Sequence, residues 1–278
     1  MKAAPFAYER PSDLKAALTL IAEGRETAKI IAGGQSLGPM LNLRLVQPEL
    51  IIDIAGLAEL MRAEQSGDEL VIGACVTHGD IEDGRIPDVT RGAMQRVAGA
   101  IAYRAVRNRG TIGGSLSHAD PAADWISALP ALGAKVRLRC TQGARDLAIE
   151  DFITGALESA LQAGEIVEAV LVPIMRPSAR WGYVKACRKP GEFAHAIAAV
   201  MIDPEARNAR VVIGAIERRP IVLRDASPLF GGRITGNFRQ QFDARLADAL
   251  LTQAGMASAA DRHIHVAVLR RAIDEAAS

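Results

Sequence analysis

The chain has 278 residues, of which 49% are apolar and 23% charged, the balance of a globular protein long enough for about two domains and a sizeable core. Lys and Arg number 33 against 32 Asp and Glu, and a net charge of +1 gives no overall field to attract nucleic acid or an anionic membrane. The opening "MKAAPFAYERPSD" brings charge and proline before any sustained apolar stretch, and no later window holds eighteen uninterrupted apolar residues, so neither a secretory signal nor a membrane span is expected and a cytoplasmic protein is.

In chain order, "PSDLKAALTLIAEG" predicts a helix: Leu14, Ala17, Leu18 and Ile21 share one face, Ser12 or Asp13 caps it, and Gly24 stops it. A short strand around Lys29 to Ala32 follows, then "AGGQS", a short helical stretch through Met40, and a buried strand over Leu50, Ile51 and Ile52. "DELVIGACVTHGDIED" reads as a strand running into a polar turn. "DVTRGAMQRVAGAIAYRAVRNRG" reads as one amphipathic helix, with Val89, Met94, Val97, Ile101 and Val106 near a 3.6 period, Arg104, Arg107 and Arg109 at its C-terminal end, and Gly110 as its stop. The arginines either cap this helix or help to present the loop after it. That loop, "TIGGS", precedes a small helix from Trp125 to Leu132 and strands in "AKVRLRC" and "EIVEAVLVP".

"MRPSAR", residues 175–180, carries two breaking signals and marks a domain boundary. Beyond it, "WGYVKACRK", "AHAIAAVMID" and "ARVVIGAIE" are closely spaced strand-like runs that predict an antiparallel sheet, and two alanine-rich helices finish the chain. Cys75, Cys140 and Cys187 lie far apart with no C-x-x-C pair, which argues against zinc, a disulfide framework, or an iron–sulfur cluster held by this chain; they read as buried thiols. His263 and His265 are spaced to share one face of a strand, but two histidines make an incomplete zinc site, and no metal site is assigned.

The chemistry lies in the two glycine loops. Paired glycines let backbone N–H groups converge without an intervening Cβ, and such concavities bind phosphate oxygens, with Ser36, Thr111 or Ser115 able to add a hydroxyl donor. The plain reading is that each pair is only a turn, and a third, Gly231 and Gly232, occurs where nothing points to a ligand. Gly33 to Gly38 has phosphate-loop spacing but Pro39 and Met40 follow, and no G-x-G-x-x-G opens a helix, so neither a P-loop NTPase nor a Rossmann dehydrogenase is expected. A dinucleotide held between two loops from different parts of the chain is what remains.

"AGGQSLGPMLNLRL", "IIDIAGLAEL", "VRNRGTIGGSLSHADPAADW" and "LGAKV", in this order and spacing, resemble the FAD-binding medium subunits of the molybdenum hydroxylases, from "FAYERPSDLKAAL" to "VLRRAIDEA". The resemblance implies an α+β chain. It would have an FAD-binding fold of the vanillyl-alcohol oxidase type, with α/β subdomains at 1–55 and 56–175, and a C-terminal domain of antiparallel sheet and helices at 176–278. It implies that Ala32, Gly33, Gly34, Gln35 and Ser36 wrap the FAD pyrophosphate from one side, and Thr111, Gly113, Gly114 and Ser115 from the other, with Leu37 and Gly110 also among the cofactor-binding residues. Ile54, Ile101, His118, Asp120 and Asp124 match positions near the cofactor, while Lys185 and Phe193 match positions near the isoalloxazine ring. Relatives often carry Asp-Tyr where this chain has Glu192-Phe193, so a phenolic role does not transfer.

The partners implied are a large molybdopterin-binding subunit and a small subunit with two [2Fe–2S] clusters, in a dimer of heterotrimers. Electrons would pass from the clusters to FAD and on to an external acceptor, with no acid–base catalytic residue in this chain. Two rival readings stay open at this point: a free-standing flavin oxidase, and a nucleotide-binding scaffold without redox activity.

Overall fold

The computed structural model describes residues 2–23 and 27–278, so the Gly24 stop lies outside the described residues. The chain opens with strand β1 (Ala7–Glu9), helix α1 (Leu14–Glu23), strand β2 (Lys29–Ile31), helix α2 (Leu37–Asn42) and strand β3 (Leu50–Asp53). The strands form a parallel sheet in the order β1-β3-β2. Asp13 is the residue that caps α1, its Oδ1 accepting the Ala16 amide at 2.8 Å. The helix lays Ala17 and Leu18 on Ile52, Ile54, Leu57 and Leu60, a small core that Cys75 and Ile166 also join.

A second unit is built on a five-stranded antiparallel sheet, and its elements run as follows. Strands β4 (Ala63–Ser66) and β5 (Glu69–Gly73) lead to helices α3 (His78–Glu82), α4 (Ala93–Ala100), α5 (Arg104–Arg107), α6 (Ile112–His118) and α7 (Trp125–Ala131). Strands β6 (Lys135–Cys140) and β7 (Gly143–Ala148), helix α8 (Ile149–Phe152), the short pair β8 (Ile153–Gly155) and β9 (Glu158–Ser159), and β10 (Ile166–Pro173) complete it. The sheet order is β4-β5-β10-β6-β7, which puts the last strand in the centre. Accordingly β10 reads as a nearly continuous apolar run, buried from Ala169 to Val172. Helices α4, α6 and α7 cover one face and enclose the largest core, with Trp125, Ile112, Leu116 and Phe152 fully buried.

The third unit holds β11 (Arg180–Ala186), β12 (Ala196–Asp203), β13 (Asn208–Gly214) and β14 (Ile221–Leu223) in an antiparallel sheet, with α9 (Phe238–Gln241), α10 (Ala244–Gln253) and α11 (Ala259–Ala276). Helix α11 packs so closely on the sheet that a Cβ at Gly182 would collide with the carbonyl of Ala272. The apolar faces of β12 and β13 divide between two cores: Ile197, Ala199 and Val212 join the core of the second unit, and Val200, Val211 and Ile213 join Leu269 and Ile273 of α11.

Five sequence expectations are corrected, the first being that "TIGGS" is not a loop throughout: Ile112–His118 form helix α6, capped by Thr111. The single helix over 88–110 is two helices, α4 and α5, separated at Ile101–Tyr103 with Ala102 in the left-handed region at φ 42°. The polar turn after β5 is helix α3, begun by a capping box in which Thr77 and Asp80 satisfy each other's amides. His263 and His265 sit on helix α11, where a two-residue spacing points side chains to different faces. Of the three thiols only Cys75 is buried; Cys140 and Cys187 are half-buried. The third glycine pair is a turn, with both residues at positive φ after a short 3-10 segment.

Candidate functional site

The two glycine loops meet. "AGGQS" leaves β2 and "RGTIGGS" leaves α5, and Gly33 approaches the second loop so closely that a Cβ there would strike the carbonyl of Arg109. The Gly33 carbonyl accepts from Gln35 Nε2 at 3.0 Å and lies 3.4 Å from Arg109 Nε. Gly34 takes φ 72°, a region open to glycine at no steric cost.

Their amides differ. In the first loop the N–H groups of Gly33, Gly34, Gln35, Ser36 and Leu37 have no hydrogen-bond acceptor among the described residues. Helix α2 begins here with no side-chain cap from Ser36; in its first turn the Leu37 N–H stays open, while Gly38 N–H bonds Gly34 O at 2.9 Å and Pro39 has no N–H. In the second loop the donors are engaged: Ile112 N–H bonds Val76 O at 3.0 Å, Gly113 N–H bonds Ala74 O at 2.9 Å, and Ser115 N–H bonds Thr111 O at 3.0 Å. The Thr111 hydroxyl caps α6 by accepting the Gly114 amide at 3.1 Å. Gly114 nevertheless faces outward, and neither the Ser115 hydroxyl nor the His118 ring has a partner among the described residues.

Behind the second loop stands His78, at the start of α3. Its amide bonds Gly110 O at 2.9 Å, its ring abuts Gly110, and its Nδ1 accepts from Trp125 Nε1 at 3.1 Å. That bond assigns the ring proton to Nε2. Burial lowers the imidazole pKa to about 4, with the charge of Arg107 acting in the same direction, so the ring stays neutral.

A second cluster joins the second and third units. Asp124, at the start of α7, directs its carboxylate away from the helix amides: Oδ1 accepts from Tyr183 Oη at 2.6 Å and from Lys185 Nζ at 2.9 Å. Lys185 Nζ also donates to Ala100 O at 2.6 Å. The Asp124–Lys185 pair is almost withdrawn from solvent, and burial with the adjacent carboxylate holds the Tyr183 hydroxyl well above its ordinary range, so it remains a donor. Tyr183 escaped sequence reading; its only signal is its place two residues before Lys185 on the same strand face.

The other expected residues are dispersed. Ile54, after β3, is buried and its carbonyl faces Cys75 Sγ at 3.4 Å; burial pushes that thiol up to about 12. Ile101 lies in the break between α4 and α5, directly after the carbonyl that Lys185 holds. Asp120 turns to its own backbone, taking the Ala122 amide at 2.8 Å. Phe193 is 70% exposed on the loop after β11.

This geometry defines a chain that offers a row of open backbone donors beside a rigid glycine wall, a surface suited to anionic oxygens. Comparison with known proteins gives the cofactor. Residues 4–175 match the family described as the FAD binding domain in molybdopterin dehydrogenase. The chain is 33% identical to the caffeine dehydrogenase subunit beta of Pseudomonas sp. strain CBB1, over 97% of this chain and 100% of that one. It is 35% identical to the nicotine 6-hydroxylase medium subunit of Paenarthrobacter nicotinovorans, over 84% and 82%. Among solved structures, carbon monoxide dehydrogenase from Hydrogenophaga pseudoflava superposes with a TM-score of 0.87 at 28% identity, covering 99% of this chain and 98% of that one. Quinoline 2-oxidoreductase from Pseudomonas putida 86 superposes at 0.85 and 31%, covering 100% and 98%. The chain belongs to the FAD-binding medium subunits of the molybdenum hydroxylases. It is a flavoprotein subunit of an oxidoreductase, and among the described residues no helix is long and apolar enough to cross a membrane.

Proposed function

We propose that FAD lies across the junction of the two glycine loops, with its pyrophosphate on the amides of Gly33 to Leu37. The observation that carries this is the run of open donors there, beside a second loop whose amides from Ile112 to Ser115 are already bonded. Ala32 ends the strand that aims the loop. On the other wall Gly110, Thr111 and Gly113 bring the backbone close, and Gly114, Ser115 and His118 present the surface left for the cofactor. Asp120 and Asp124 are carboxylates that can accept from ribose or adenine; Ile54 and Ile101 supply apolar contact; Lys185 and Phe193 belong to the isoalloxazine end.

When bound, FAD supplies one-electron entry and exit between a metal cluster and an external acceptor. The chain's part is to bind, orient and shield. Lys185 is fixed by Asp124 and Ala100 O, which holds a cation at a set position, and Tyr183 fixes Asp124. The parallel first sheet, the helix-covered second unit and the antiparallel C-terminal sheet support an FAD fold of the vanillyl-alcohol oxidase type, with subdomains at 1–55 and 56–175 and a C-terminal domain at 176–278. The names of the relatives, medium chains and lettered subunits, support assembly with further subunits; we take these to be a large molybdopterin-binding subunit and a small [2Fe–2S] subunit, in a dimer of heterotrimers in the cytoplasm.

Co-expression with candidate partner chains and gel filtration tests the assembly; migration as a free monomer with all partners present would contradict it. Flavin retention by variants of the two loops tests the site.

A further inference from the structure

We propose that Arg107 is a positioning residue for the isoalloxazine end of the site: it fixes the Ala100–Ala102 turn on which Lys185 and the 187–193 loop close. This rests on the FAD reading above.

The apolar period of the sequence runs through Ile101 without interruption, yet helix α4 ends at Ala100 and the chain turns through Ala102 at φ 42°. An alanine holds that conformation only when its surroundings impose it. The carbonyls freed at the end of α4 are captured by cations. Lys185 Nζ takes Ala100 O at 2.6 Å, while Arg107 Nη1 takes Ile101 O at 2.9 Å and Ala102 O at 3.0 Å.

The rest of the Arg107 fork is engaged with Glu82: Nε meets Oε2 and Nη2 meets Oε1, both at 2.8 Å, and only 12% of the Arg107 side chain is exposed. Glu82 ends α3, and Arg104 adds a further bond to it at 2.8 Å. One planar group thus ties α3 to the turn through two carbonyls and a carboxylate. A lysine ammonium, with no fork, cannot reproduce this set.

The third segment rests on the same turn. Gly191 sits at φ 85°, where a Cβ would come 3.0 Å from Ala102 O and 2.9 Å from the Tyr103 ring. The loop that carries Phe193 therefore takes its seat from the turn that Arg107 holds, and the position of Lys185 Nζ depends on the carbonyl one residue earlier.

The test uses the full chain carrying Arg107→Lys or Arg107→Met, with the FAD dissociation constant, the visible circular dichroism of bound flavin and the melting temperature of the flavin-free chain as readouts. Because the first loop is untouched, both variants are expected to bind FAD, more weakly by roughly tenfold, and both to show the same altered flavin dichroism. Lysine is expected to give no rescue. An Arg107→Lys chain with wild-type affinity and dichroism overturns the proposal, as does a loss confined to the melting temperature. Glu82→Gln, which keeps the outline of the anchor, is expected to shift the dichroism in the same sense, and decides the question if the Arg107 variants do not fold. A wild-type chain that takes up no FAD would overturn the functional reading itself, a different result from wild-type uptake with silent variants.

Discussion

The two glycine loops look alike as sequence, Gly-Gly with a serine one or two residues on, and they differ in what they do with their backbone. The first leaves five consecutive amides without acceptors; the second commits its amides to Ala74, Val76 and the Thr111 hydroxyl and carbonyl. Glycine in the first loop serves conformation and donor access, whereas in the second it serves close approach, since a Cβ at Gly113 would press on the backbone of Ala74. A repeated motif therefore does not imply a repeated role. One wall of the site donates, and the other is shaped to fit.

The comparison breaks most completely at Gly33, which joins the loops. Gly33→Val drives a side chain into the Arg109 carbonyl, and FAD affinity is expected to fall on the order of a hundredfold or more; a titration that finds wild-type affinity would show that the loops need not touch. Next come Gly34→Val and Gly114→Val. Each is expected to abolish FAD retention through desalting while circular dichroism shows a folded chain, because Gly114 faces outward with only Thr111 Oγ1 within 2.8 Å of a new Cβ. The alanine versions sharpen the contrast: Gly34→Ala, strained at φ 72°, should lose more affinity than Gly114→Ala, and the reverse order would assign donation to the wrong wall.

His78 supports the second wall through its neutral ring. Its folded pKa of about 4 lies below the ordinary 6.5, so between those values the unfolded chain binds the extra proton. The stability it contributes is complete above about pH 6.5, falls as pH drops toward 4, and levels below; the decline is about 3 kcal/mol. His78→Asn, which retains an acceptor for Trp125 and cannot titrate, should flatten that part of a chemical-denaturation profile against pH. An unchanged profile would mean that the ring takes up its proton as readily in the folded chain as in the unfolded one. The smallest effect is expected from Thr111→Val, which removes the α6 cap for about 1 kcal/mol of stability and frees the Gly114 amide; melting temperature and FAD affinity together report it.

Much of this was legible in the sequence where local pattern and tertiary demand agree. The period of α1 and the continuous apolar runs of β10 and β12 each state the surface they will bury, and the close spacing of β11 to β13 states an antiparallel sheet. The failures share a cause. The α4–α5 break is invisible because Ile101 and Val106 keep the helical period, whereas the break is held by Lys185 on the last carbonyl of α4 and by Arg107 on the carbonyls of Ile101 and Ala102. Helix α6 was hidden by its glycines, although Thr111 as a cap was there to be read. Of the site residues, both loops could be read from sequence, but that one donates while the other's amides are occupied depends on strands far away in sequence. Tyr183 and His78 act through partners 59 and 47 residues away, beyond the reach of any local motif.

The most direct test is a visible absorption spectrum of the purified chain, before and after incubation with FAD and desalting, with the Gly34→Val chain treated in parallel. A flavin spectrum retained by the wild type, released by acid as FAD and absent from the folded variant, is the predicted result. A folded wild-type chain that holds no flavin after reconstitution, or a variant that holds as much as the wild type, would contradict the assignment of the first loop as the donor cradle.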